Sequence, residues 1–232
     1  FGSLVFLTKA GNHALGSTAM QAAAAQIACF AAGTRIRTAR GEVRVEELRE
    51  GDVAVTAIDG SEAPVVWIGH RAVDCARHPD PQSVWPVRIK AGAFGRGLPK
   101  RALTLSPDHA VYVNEVLVPV KHLINGTTIA QVQVDRVTYY HVELDRHDVV
   151  YAEGLPAESY LDVGDRANFA NGGAVVQLHI DLAHHWEAGG CAPLVVWGEE
   201  LEGVKQVVAM ADVALAKAAT RTVAPIQTGR TA

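Results

Sequence analysis

A chain of 232 residues, 49% hydrophobic and 20% charged, is long enough to bury the core of one large or two small domains. Its net charge of -4, with no Lys/Arg-rich run, excludes the electrostatic footprint of a nucleic-acid or anionic-membrane binder, and no stretch reaches the roughly eighteen consecutive apolar residues of a membrane span. Cys29, Cys75 and Cys191 are the three cysteines, an odd number too scattered for a disulfide framework, so at least one thiol stays free.

Residues 1–28 begin with the apolar run "SLVFL" and pass through "TKAGNHALGS" into the alanine-rich "TAMQAAAAQIA". They lack the charged start and Leu-rich stretch of a signal peptide, and the first residue is Phe1 rather than Met. The expectation is the end of an upstream module with a flexible or weakly helical linker, in a chain that is part of something longer. From Arg35 the apolar residues recur with period two, the signature of half-buried strands. "RIRT" and "EVRVEEL" flank a tight turn, and "VAVTAI", "PVVWIGHRAV", "VWPVRIK", "RALTL", "AVYV", "VLVPV", "VTYYHVEL" and "DVVYAEG" continue the series. The 21 glycines and 10 prolines punctuate it with turns such as "IDGSE", "SPDH" and "NG". "GAFGRG" at 92–97 superficially resembles a phosphate loop but has no Lys-Ser/Thr and no helix after it, and reads as a mobile loop. After residue 160 the period changes to a helical one. In "GEELEGVKQVVAMADVALAKAATRTV" Leu201, Val204, Val207 and Val208 share one face, followed by Met210, Val213 and Leu215. "LAHHWEAGG" is a second helical candidate, and "APIQTGRTA" reads as a disordered tail. The fold class is mainly β, followed by a smaller, mainly helical appendage.

Cys29 sits at the seam between the unpatterned leader and the first strand. A thiol there has an acyl group already attached, the carbonyl of Ala28; if the fold strains that peptide bond, the thiolate can exchange the amide for a thioester. Such a reaction needs a proton donor for the leaving nitrogen, donors for the oxyanion and a base for the thiol, whose ordinary pKa is about 8.5. "LTLSPDHAVYV" offers part of this, because a Ser-Pro-Asp turn between two strands projects Ser106 and His109 from one corner.

Three blocks, "CFAAGTRIRTARGEVRVEELREGD" from Cys29, "SPDH" from Ser106 and "YYHVELDRHDVVYAEG" from Tyr139, resemble in order the start, middle and end blocks of Hint domains, the module shared by Hedgehog autoprocessing domains and inteins. The likeness is nearest to bacterial Hint-domain proteins and runs from about residue 29 to 160. It implies a compact all-β horseshoe, with 29–160 as the autoprocessing domain and 161–232 as the appendage. It makes Cys29 the nucleophile of an N-to-S acyl shift and Ala28 the acyl side of the scissile bond. His109 becomes the proton donor to the leaving nitrogen, and Ser106 replaces the family's threonine as orienter of the scissile amide. His141 stands where inteins commonly carry Asp and His147 near the last block's histidine, either able to deprotonate Cys29 or assist the second step, while Asp145 could orient one of them. Inteins close this block with His-Asn, but here Glu158 and Ser159 occupy those positions, so splicing is not expected. Cleavage at one site is expected instead, with the thioester resolved by water or by an external nucleophile or acceptor protein. The domain's own upstream polypeptide is then its substrate.

No cofactor is implied. A metal reading of Cys75-x-x-His78, or of His179, His184 and His185 near Cys191, lacks a recognisable second ligand pair. Two further functions compete: a trans-acting cysteine hydrolase using Cys29 and His109, and a degenerate Hint scaffold that serves binding or assembly. The resemblance implies a bacterial secreted or surface-associated setting, on which composition is silent.

Overall fold

The computed structural model describes residues 28–164, 166–172, 186 and 188–222, with two short antiparallel strands before them, β1 (Leu4–Val5) and β2 (Ala14–Leu15). The linker expected over the rest of 1–28, most of "LAHHWEAGG" with His179, His184 and His185, and the tail from residue 223 lie outside the described residues.

The period-two segments form thirteen strands of one sheet. They are β3 (Phe30–Ala31), β4 (Arg35–Thr38), β5 (Gly41–Arg44), β6 (Val53–Val55), β7 (Glu62–Asp74), β8 (Val87–Ile89), β9 (Leu103–Leu105), β10 (Ala110–Val113), β11 (Val116–Pro119), β12 (Ile129–Gln131), β13 (Arg136–Leu144), β14 (Val149–Ala152) and β15 (Leu155–Glu158). Neighbours follow the order β11-β10-β15-β14-β4-β6-β7-β13-β3-β9-β8-β12, with β5 paired to β4, and every strand pairing in it is antiparallel. The long β7/β13 ladder joins the two halves of this path, because β7 pairs β6 through its first residues and β13 from Val65 to Asp74. Alternation along β7 buries Ala63, Val65, Trp67 and Val73 on one face and sends the intervening residues outward, as a half-buried strand requires.

The sequence pattern marks the long strands and misses three short ones. Phe30–Ala31 is too short to show a period; Ile129–Gln131 has one buried residue; Leu155–Glu158 contains Pro156, which lacks the donor an interior strand needs. Two hairpins close through two-residue turns in which both residues have left-handed φ, Asn114-Glu115 between β10 and β11 and Glu153-Gly154 between β14 and β15. Glu153 is an unusual occupant of that conformation. Its carboxylate accepts the Arg35 N–H at 2.8 Å and the Arg101 Nε–H at 2.6 Å, which ties the turn to the start of β4.

The helical segment is α1 (Glu199–Thr222), built from strong helix formers with Glu199, Glu200 and Glu202 at its positive end. Its buried stripe is Leu201, Val204, Val208 and Ala211, spaced three and four apart, and the first three of these lie in the same hydrophobic cluster as Phe30, Leu105 and Val142. Met210 and Val213, expected on the apolar face, are 75% and 54% exposed. The "GAFGRG" loop is not a loose one. It is held by hydrogen bonds from Gly92 to Pro99 and from Phe94 to Leu98, buries Ala93 and Phe94, and lies against α1 at Leu215 and Ala211.

Candidate functional site

Cys29 precedes β3, whose Phe30 pairs with Leu105 at the end of β9 on one side and Tyr140 of β13 on the other. That pairing carries Cys29 to the Ser-Pro-Asp-His corner. Ser106 engages both ends of the cysteine's backbone: its Oγ accepts the Cys29 N–H at 2.7 Å, and its own N–H donates to the Cys29 carbonyl at 2.9 Å. The corner is a β-turn closed by the His109 N–H on the Ser106 carbonyl at 3.1 Å, with Pro107 in the position that fixed φ favours. Beyond it the Lys121 N–H donates to the Pro107 carbonyl, Lys121 pairs with Asp108, and the Val120 N–H donates to the His109 carbonyl. The corner is therefore rigid.

His109 is fully buried, 4.2 Å from the Phe30 ring and 5.1 Å from the His141 ring, centroid to centroid. Neither of its ring nitrogens makes a well-formed hydrogen bond among the described residues. Desolvation holds its pKa down to about 3, against a smaller opposing pull from the backbone of Glu158 and Cys29. His141, in β13, is driven well below the ordinary histidine range by burial first and by the other two histidines second, and its ring lies 5.2 Å from that of Tyr160. Both imidazoles are neutral at physiological pH.

Two residues from the end of the third block complete this wall. The buried Glu158 carboxylate accepts the Ala110 N–H at 2.6 Å, directly after His109. Burial pushes Glu158 up to about 8; the Ala110 N–H pulls it down and the Asp108 charge adds to the rise. Tyr160 follows as its N–H donates to the Val142 carbonyl at 2.7 Å. Sequence reading placed Glu158 only as a departure from the intein pattern and gave Tyr160 no role. Period two along "LPAESY" puts Glu158 on the face of the half-buried Pro156, opposite Leu155 and Ala157, so no local sign marks it as buried.

The structure thus brings Ala28, Cys29, Ser106, His109 and His141 together. His147 is buried but engaged elsewhere: its Nδ1 accepts the Cys191 N–H at 3.0 Å, which leaves the proton on Nε2, and its ring meets Trp186 edge-on at 5.1 Å. Burial lowers it to about 4 against the backbone of Ser159. Asp145 stands apart, 48% exposed in the bend after β13 and 3.9 Å from Arg146. Asp148, not Asp145, turns inward there, capping the Val149 N–H at 2.7 Å and pairing with Arg146. Among the described residues no cluster of three His, Cys, Asp or Glu side chains is arranged to hold a metal ion, and no helix is long and apolar enough to cross a membrane.

The sequence profile of the Hint domain matches residues 28–164, beginning one residue before Cys29 and ending after Tyr160. The chain belongs to the Hint-domain family. The Hint fold supports autoprocessing in general, and the match takes in the whole thirteen-stranded sheet and ends before the segment 166–171 and α1. Among solved structures the Hint domain is similar to the bacterial intein-like domain from Clostridium thermocellum, at 19% identity over 57% of this chain and 98% of that one, with a TM-score of 0.41. It is also similar to a DnaB intein from Synechocystis sp. PCC 6803, at 10% identity over 58% and 99%, with a TM-score of 0.39. No curated protein matches the chain.

Proposed function

We propose that this Hint domain cleaves its own chain at the Ala28–Cys29 bond by an N-to-S acyl shift, after which water or an external nucleophile releases the upstream segment without splicing. The observation that carries this reading is the grip of Ser106 on the scissile amide: the N–H that must become the leaving amine is the one that donates to Ser106 Oγ. Burial of Cys29, 1% exposed, suits an acyl group delivered by its own chain better than a substrate arriving from solvent.

The neutral state of His109 sets the order of proton movement. An imidazole held down to about 3 enters the reaction neutral and takes up a proton only as charge develops beside it. The Cys29 thiol gives its proton to the His109/His141 pair and Sγ attacks the Ala28 carbonyl carbon. The tetrahedral intermediate collapses as the C–N bond breaks, and the imidazolium of His109 returns the proton to the Cys29 nitrogen, leaving a thioester and a free amine. A second nucleophile then adds to the Ala28 carbonyl carbon and the C–S bond breaks, restoring the thiol. Ser159, in the position of the intein asparagine, has no amide to cyclise, and its Oγ accepts the Asp148 N–H at 2.9 Å.

The test is intact-mass analysis over time of residues 1–232 carrying an N-terminal tag, with and without dithiothreitol, beside Cys29→Ala and His109→Ala. The expected result is a break between 28 and 29 that the thiol accelerates and both variants lose. A folded wild type that stays whole under all conditions overturns the reading.

A further inference from the structure

The strap that follows the Hint domain, Arg166–Asn171, closes over the catalytic wall. Gly69 of β7 lies directly opposite His141 of β13, so the two share one face of the sheet. A side chain at Gly69 has no room: its Cβ would meet the Trp67 ring at 2.4 Å and the Phe169 ring at 2.7 Å. Phe169 fills that gap, 4% exposed, 5.1 Å from Trp67 and 5.9 Å from Tyr160. Rings therefore run without a break from Phe169 through Tyr160, His141 and His109 to Phe30, the residue after the nucleophile. Cys29 belongs to the same apolar cluster as Trp67, Tyr160 and Phe169.

Polar contacts hold the strap at both ends. Arg166 pairs with the buried Glu143 of β13 and lies over the Trp67 ring at 5.1 Å. Asn171 accepts the His70 N–H at 3.1 Å and donates to the Ile68 carbonyl at 2.9 Å, while the Ala170 N–H donates to the His70 carbonyl at 2.8 Å. The last two bonds dock the strap on the backbone of β7 on either side of Gly69. These contacts are independent of the chemistry at Cys29.

We propose that Phe169 is a plug that shields Cys29 and its thioester from solvent, so that water and other small nucleophiles reach the thioester only as the strap opens. This rests on the cis-cleavage reading. In hydrolysis a water adds its hydroxyl to the Ala28 carbonyl carbon and its proton to Cys29 Sγ as the C–S bond breaks; Phe169 slows that step by excluding the water. The position is a shielding one and does not touch the reacting atoms.

Two readouts test the plug in the full chain. The first, needing no cleavage, is alkylation of Cys29 by iodoacetamide in the uncleaved chain, read by peptide mass spectrometry against Cys191, a half-buried thiol packed outside that cluster. In Phe169→Ala the Cys29 rate is expected to rise by about tenfold with Cys191 unchanged, and Phe169→Leu to stay near wild type. The second is the rate of acyl release with and without hydroxylamine: Phe169→Ala speeds the formation of both hydroxamate and free acid. Asn171→Ala, which removes two strap bonds from an exposed position, is expected to move both readouts the same way by a smaller factor, and it decides the matter if Phe169→Ala does not fold. Unchanged Cys29 alkylation and unchanged rates of acyl release in the folded variants overturn the plug. Absence of any captured acyl product in wild type, with alkylation still gated by Phe169, counts against the cleavage reading and leaves the closure standing.

Discussion

Ser106 holds the Cys29 N–H through one hydroxyl, and the proposed cleavage makes its loss measurable. Ser106→Ala leaves the buried Cys29 N–H without that acceptor; in the proposed reaction the bond tightens as that nitrogen gains its proton and leaves, so its loss slows cleavage by roughly 10–100-fold. Ser106→Thr, which restores the family's hydroxyl, is expected to remain within about threefold of wild type; intact-mass time courses near neutral pH separate the two. Equal rates in Ser106→Ala and wild type would remove Ser106 from the mechanism. The Ser-Pro-Asp-His corner was legible from sequence because the turn is local and four consecutive residues set its geometry, whereas its meeting with Cys29, 77 residues away, was expected only from the order of the three blocks. The placement of Asp145 was not legible, since nothing local tells which acid of "LDRHD" turns inward, and the ladder to β7 and the bend after it choose Asp148. Gly69, Trp67 and Phe169 were illegible for the same reason at longer range, as their contact joins segments about a hundred residues apart.

At the scale of elements, period two identified the long strands because one face of each is buried, while the helical period found α1 and its face at Leu201, Val204 and Val208 but not how that face continues. The sequence places the larger apolar residues Met210 and Val213 in the stripe, yet the helix turns Ala211 inward to lie over Gly95 and leaves those two in water. Close approach to a glycine loop selects a small side chain there, a requirement hydrophobicity alone does not express. The consequence is measurable by urea unfolding. Leu201→Ala, emptying a buried site in the main cluster, is expected to cost about 2–4 kcal/mol. Met210→Ala, at an exposed site, is expected to stay within about 0.5 kcal/mol. Similar losses for both would mean that α1 docks by another face.

The molecule as a whole keeps three histidines neutral inside a β core, and this makes its stability depend on pH in both directions. His109, His147 and His141 have folded pKa values of about 3, about 4 and well below the ordinary one. Between those values and the unfolded value of about 6.5 the unfolded chain binds more protons, so their contribution, present in full above about pH 6.5, is lost as pH falls. Glu158 acts with the opposite sign. Its folded pKa is raised to about 8, so its contribution is complete below its unfolded value and is lost as pH rises through about 8. Asp108 and Glu143, raised by burial, add to the Glu158 side at the acid end. The three histidines outnumber these groups through the window just below pH 6.5, so unfolding there takes up one to two protons and stability declines by roughly 1–3 kcal/mol per pH unit. Above about pH 7 Glu158 governs, and stability declines gently toward pH 8. The expected curve is a dome with its maximum near pH 7, and Glu158→Gln, which keeps an acceptor for the Ala110 N–H, flattens the alkaline side and steepens the acid side by about one proton, roughly 1.4 kcal/mol per pH unit. Urea unfolding across this pH range, in wild type and Glu158→Gln, reads both slopes. Stability that stays constant from pH 7 down to pH 5 would mean that the imidazoles are charged in the fold, and His109 would then enter the acyl shift already carrying the proton that the leaving nitrogen needs.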